Sequence, residues 1–209
     1  GSLLVGQYLG EDISGYTEVG MTATVSVGGT TTANLTASNL FGTAGVSQIA
    51  SIDVGSGITA SLNADLAATL GTKLITASSS TVGGTLQVSD FVNQDLSSVN
   101  DAFTLEVSTS TAAGTLTVSS LATADQITVI SGTTANLGSQ DATSLTALKL
   151  GTGNLVIEAG GTLSLTEQQT VDLVSQFNTA AGTLQISDVT TTQNISAISS
   201  GLYVEATLA

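Results

Sequence analysis

The word GTLQVSD at Gly84–Asp90 returns as GTLQISD at Gly182–Asp188, and a weaker copy, GTLTVSS, lies at Gly114–Ser120. The flanking stretches match in the same order. GGTTTANL at Gly28–Leu35 corresponds to SGTTANL at Ser131–Leu137, and IASIDV at Ile49–Val54 to LTALKL at Leu145–Leu150. SLNADLAATL at Ser61–Leu70 corresponds to SLTEQQTVDL at Ser164–Leu173, while Leu96, Val99, Phe103 and Glu106 map onto Ile195, Ile198, Leu202 and Glu205. The offset stays near 100 residues throughout. A chain that repeats at a fixed offset folds as copies of one unit, and this constrains it more than any single residue does.

Each copy is assembled from short apolar words that alternate with polar residues, as at Leu163–Leu165 and Leu184–Ile186, separated by Gly, Thr, Ser and Asn. Alternation marks strands, and Gly-Thr marks corners. One word buries only one face, so neighbouring words must stack to share a core. The reading is all-β: a parallel β-solenoid (β-helix) with one short helical excursion in each of two repeats of about 100 residues. The absence of Pro suits strands that hydrogen-bond on both sides. Two tandem Ig-like β-sandwiches are the alternative, because a unit of this length also fits one sandwich. The spacing divides the chain into an N-terminal cap or linker (1–27), repeat unit 1 (28–107), a connecting coil (108–130) and repeat unit 2 (131–209), with the repeats forming one continuous solenoid.

Thr166-Glu167-Gln168-Gln169 has the form of a capping box, so a helix is expected over about 166–177, with Val171, Val174 and Phe177 on its apolar side. Its counterpart starts after Asn63, with Leu62, Leu66 and Leu70 on one stripe.

Composition narrows function mainly by exclusion. The net charge is -14, and the only basic residues are Lys73 and Lys149. Phosphate backbones and anionic lipid surfaces are therefore poor partners. There is no Cys or His, hence no thiol nucleophile, no Ser-His triad and no ordinary zinc site. A metal would have to be held by oxygen, which points to calcium. No apolar run reaches the roughly 18 residues of a membrane helix. Mean hydropathy is +0.40 and the apolar residues are small and aliphatic, which argues for a core rather than disorder.

The pieces LSLTEQQTVDL at Leu163–Leu173, GTLQISD at Gly182–Asp188 and QNISAI at Gln193–Ile198 resemble tandem stretches of very large secreted bacterial proteins. Those stretches neighbour RTX calcium-binding repeats in surface-layer proteins and giant adhesins. The resemblance covers most of residues 28–206. It implies an extracellular or cell-surface module without catalysis, acting as stalk, spacer or surface-layer piece. Its partners would be neighbouring segments of the same large chain, or surface glycans or proteins, with no nucleic acid and no membrane insertion. The glycine-rich nonapeptide of the RTX calcium roll is missing from this sequence.

Asp90 and Asp188 fall at one position of the two copies, and Glu106 and Glu205 at another. Repeated acids can ligate calcium, and no other cofactor is expected. Against this, an Asp after Ser closes a turn through its own backbone. Ligand-binding alternatives are calcium, a glycan, or ice on Thr-x-Thr words such as Thr22/Thr24, Thr30/Thr32 and Thr115/Thr117. A polysaccharide-active β-helix enzyme ranks last, since stacking aromatics are scarce and Arg and His are missing.

Overall fold

The structure, a computed structural model, describes residues 1–29, 32–76, 83–121, 123–143, 154–178, 181–190, 198 and 201–209. The word at Leu145–Leu150 and all of the Gln193–Ile198 piece except Ile198 lie outside the described residues. The chain divides into two compact units. The first comprises Gly1–Ser89 with Ser98–Leu105, and the second Asp90–Ser97 with Glu106–Ala209.

The strands of the first unit begin with β1 (Ser2–Tyr8) and β2 (Thr22–Val27), joined through the short helix α1 (Ser14–Glu18). Next come β3 (Ala33–Asn34), α2 (Ala37–Leu40), β4 (Ile49–Asp53) and β5 (Thr59–Asn63). Helix α3 (Ala64–Leu70), β6 (Leu74–Ile75) and β7 (Thr85–Phe91), whose last two residues belong to the second unit, follow. One sheet has the order β1-β2-β4-β6, while β3, β5 and β7 pair in a second. From β2 to β7 the chain alternates strictly between the two. Inward residues are small or aliphatic: Ala23, Val25, Ile52, Ala60 and Leu86 are all fully buried.

The second unit repeats this arrangement. It contains β8 (Thr104–Thr109), whose first two residues belong to the first unit, then β9 (Gln126–Val129), β10 (Thr134–Asn136), β11 (Leu155–Ile157) and β12 (Thr162–Thr166). Helix α4 (Glu167–Leu173), β13 (Thr183–Val189) and β14 (Tyr203–Leu208) complete it. Strands β8, β9 and β11 pair in one sheet, and a second has the order β10-β12-β13-β14. From β9 to β12 the chain again alternates between two sheets. The strands of both units pair in parallel. Ig-like sandwiches, which are antiparallel, do not fit that pattern.

The helices lie near their expected places. In α4 the Thr166 hydroxyl accepts from Gln169 N at 3.2 Å and Gln169 Oε1 accepts from Thr166 N at 3.0 Å, a reciprocal capping box. The helix stops at Leu173 rather than reaching 177, because the chain is already committed to a parallel bridge there. Leu155 N donates to Gln176 O at 2.8 Å and Asn178 N to Leu155 O at 3.0 Å, which fixes Phe177 beside β11. The apolar side also differs from expectation: α4 buries Gln169, Thr170 and Leu173, while Val171 is half-buried. In α3, Asn63 Oδ1 accepts from Leu66 N at 2.9 Å, and Leu62, Leu66 and Leu70 are all buried.

Residues 1–27, expected as a cap or linker, contain an ordered strand pair. Among the described residues, Gln7, Asp90 and Asp188 are the non-glycine residues with left-handed backbone, at φ 53, 58 and 58. Each is the next-to-last residue of its strand, in β1, β7 and β13 respectively. The register slips there, between Val5 and Tyr8 in β1 and between Ile186 and Val189 in β13, so each strand carries one extra residue as a bulge. The same bonds frame all three sites. Thr22 N donates to Gly1 O, Thr104 N to Gly84 O and Tyr203 N to Gly182 O, at 2.9–3.0 Å. At the other end, Gly28 N donates to Tyr8 O, Ser110 N to Phe91 O and Ala209 N to Val189 O. SLLVGQY is thus a third copy of the strand type found in TLQVSDF and TLQISDV.

Candidate functional site

Parallel pairing without slippage places residues of equal position in rows that run across the strands. One such row crosses the outer face of the sheet β10-β12-β13-β14. Asn136 pairs with Ser164, Ser164 with Gln185, and Gln185 with Glu205, while Thr115 forms a bridge to Asn136. The side chains bond along the row. Thr115 Oγ1 donates to Asn136 Oδ1 at 2.9 Å, Ser164 Oγ to Gln185 Oε1 at 2.8 Å, and Gln185 Nε2 to Glu205 Oε2 at 2.9 Å. The first unit has the same row in Asn34, Ser61 and Gln87.

The row of the second unit floors an open groove of about 380 Å³, walled by Thr166, Gln169 and Ser187. Alternation puts Tyr203 on the same face as Glu205, with 65% of its surface exposed. The groove thus presents amide, hydroxyl and carboxylate groups. That set can hydrogen-bond a neutral hydroxylated ligand, although its central members already bond one another.

Beside the groove, the amides of buried Gln169 and half-buried Gln140 tie the corners together. Gln169 Nε2 donates to Gly138 O at 3.0 Å and Gln140 O at 2.8 Å. Gln140 Nε2 in turn donates to Leu116 O at 2.6 Å, and its Oε1 accepts from Val118 N at 2.9 Å. Buried Glu167 accepts from Thr190 N and Oγ1, at 3.0 and 2.7 Å.

The four acids singled out from sequence fall in two kinds of place. Glu205 ends the polar row, and Glu106 pairs in register with Gln126. Asp90 and Asp188 occupy the bulges, where Asp188 accepts from Ser187 Oγ at 3.1 Å. Among the described residues no three acidic side chains gather closely enough to hold a metal ion. Three other carboxyls, Asp12, Asp95 and Asp141, are held below the usual carboxylate range. The hydroxyl two residues on, in Ser14, Ser97 and Thr143, is the main cause, followed by that residue's backbone N–H. These are Asx turns closing loops.

A second groove, of about 410 Å³, lies over the sheet β1-β2-β4-β6 and is lined by Leu4, Thr24, Ser51, Asp53 and Ile75. Asp53 Oδ1 is buried there without a hydrogen-bond partner among the described residues.

Sequence reasoning aligned every member of the polar row with its copy but did not place them side by side. The signal was present: Asn34, Ser61 and Gln87 each meet the same residue type in the second copy, as Asn136, Ser164 and Gln185. Comparison with family models, with curated proteins and with solved structures found no match.

Proposed function

We propose that this chain is a non-catalytic structural module, a stretch of parallel β-solenoid acting as stalk, spacer or surface-layer piece of a large bacterial extracellular or cell-surface protein. The observation that carries the reading is the alternation of successive strands between two parallel sheets, from β2 to β7 in the first unit and from β9 to β12 in the second. A chain that alternates in this way winds one coil for every two strands. Each coil then buries its apolar residues against the next, and stability accumulates by nearest neighbours. The polar row adds side-chain hydrogen bonds in the same direction. Partners on this reading are neighbouring segments of the same large chain, or surface glycans or proteins.

A far-UV circular dichroism melt, with calcium and then with chelator, tests it. A cooperative β melt that chelator leaves unchanged is the expected result. A large calcium-dependent rise in Tm would replace the passive spacer with an ion-ordered ligand module. The second reading, glycan binding, is favoured by the groove lined by Ser164, Gln185 and Glu205. Saturable binding of a neutral oligosaccharide that is lost on Gln185→Ala would establish it.

A further inference from the structure

Asn34-Leu35-Thr36 has the form Asn-x-Thr with x other than Pro, the acceptor triplet for a sugar on an asparagine amide. The internal repeat supplies a comparison within one chain. TANLT at Thr32–Thr36 aligns with TANLG at Thr134–Gly138, so the hydroxyl of the first unit is replaced by glycine in the second. The two asparagines hold the same place, Asn34 beside Ser61 in β5 and Asn136 beside Ser164 in β12.

Their side chains are used differently. Asn136 is half-buried, and its Oδ1 accepts from Thr115 Oγ1 at 2.9 Å and from Gly138 N at 3.0 Å. Asn34 is exposed, and its amide makes no hydrogen bond among the described residues. The first unit thus keeps the triplet and leaves its amide open, while the second loses the triplet and ties the amide down.

We propose that Asn34 is a site of N-linked glycosylation. The inference goes beyond the spacer reading and does not depend on it. In the reaction, Asn34 Nδ2 attacks the anomeric carbon of a phosphate-activated sugar. The new N–C bond forms as the C–O bond to the phosphate leaving group breaks, and a base of the transferase takes the proton lost from Nδ2.

The folded unit accommodates the product. N-linked sugars are bulky and hydrated, so they need a surface position. Leu35, which is buried, fastens the triplet through its N–H, which donates to Ser61 O at 2.8 Å, while the Asn34 side chain stays outside. Beside it lies a groove of about 190 Å³ lined by Thr36, Ser61, Asn63 and Ser89, whose hydroxyl and amide groups suit the hydroxyls of a first sugar.

Thr36 also has a local duty: its Oγ1 accepts from Asn39 N at 3.2 Å and caps α2. Asp caps a helix at least as well as Thr, so Thr36→Asp keeps the cap and destroys the triplet, whereas Thr36→Ser keeps both. Full chain produced in its cell of origin is digested and its peptides are sequenced by mass spectrometry. Fragment masses assign the site, because a second triplet, Asn194-Ile195-Ser196, lies outside the described residues. Sugar should be found on Asn34 in the parent and in Thr36→Ser. It should be lost in Asn34→Gln and in Thr36→Asp, with a cooperative circular dichroism melt showing that each variant folds. An unmodified Asn34 in the parent, or sugar retained on Asn34 in Thr36→Asp, would overturn the proposal.

Discussion

Tyr8 and Phe91 occupy the same position in two strands: each follows a left-handed residue, each is fully buried, and each carbonyl accepts from the neighbouring strand. They differ by one hydroxyl. Tyr8 Oη is buried without a hydrogen-bond partner among the described residues. Burial, with added repulsion from Glu11 and Asp12, pushes its ionisation up to about 12 from 10.0.

Tyr8→Phe should therefore stabilise the protein by about 1 kcal/mol at neutral pH, because an unsatisfied buried hydroxyl is removed while the ring stays. The alkaline limb should change as well. The unfolded chain loses the Tyr8 proton near 10 and the folded chain only near 12, so the unfolded state binds fewer protons between these values. Stability is then fully present below pH 10 and falls as pH rises towards 12. Urea melts at about pH 7, 9 and 11 should show a steeper loss for the parent than for Tyr8→Phe. Parallel curves would mean that the hydroxyl finds a partner in solution.

Asp90 and Asp188 test whether the bulge needs a carboxylate or only a left-handed backbone. Asp tolerates φ near +58 better than most residues, and Gly tolerates it at no cost. Asp188→Gly should leave stability within about 0.5 kcal/mol of the parent, whereas Asp188→Val should cost about 1–2 kcal/mol. If the acid instead ligates calcium, Asp188→Gly will remove a calcium-dependent rise in Tm. Denaturant melts with and without calcium separate the two roles.

The helix cap and its buried amide should differ in cost. Thr166→Ala removes one capping acceptor and should cost about 1 kcal/mol. Gln169→Ala removes the reciprocal bond to Thr166 N and both bonds from its buried amide to the Gly138 and Gln140 carbonyls. Its cost should be larger, about 2–3 kcal/mol, since three side-chain bonds worth about 1 kcal/mol each are lost together. Thermal melts of both variants give the ranking, and equal losses would mean that the cap alone matters.

What the sequence disclosed follows from how locally each feature is encoded. The capping box needs only Thr166 and Gln169, three residues apart, and the equivalence of Asp90 and Asp188 needs only a repeated word. The end of α4 was not legible, because it depends on Leu155, some twenty residues away, pulling Phe177 into a parallel bridge. β1 was hidden because SLLVGQY shares the geometry of TLQVSDF but little of its lettering, with Gln7 in the left-handed place of Asp90. The polar row required strand register, which loop lengths and bulges set and composition does not.

The three GTL words make the sharpest contrast, because they look alike in sequence and differ in space. A Cβ on Gly84 would run into the Ile58 carbonyl and lie 2.6 Å from that of Gly55. On Gly182 it would meet the Ile157 side chain and lie 2.6 Å from the Glu158 carbonyl. On Gly114 it would meet nothing within 4 Å. Corners crowded by backbone cannot relax as a flexible side chain can, so Gly84→Ala and Gly182→Ala should each cost about 2–3 kcal/mol. Gly114→Ala should be neutral or gain about 0.5 kcal/mol by restricting the unfolded chain. The bond from Thr104 N to Gly84 O, and that from Tyr203 N to Gly182 O, begin the pairings beside β7 and β13. Loss at these two sites should therefore appear first as faster amide exchange at Thr104 and Tyr203, with Asn136, which donates to Gly114 O, unaffected in Gly114→Ala. Equal stability losses at all three glycines would show that the corner conformation, rather than the space around it, selects glycine.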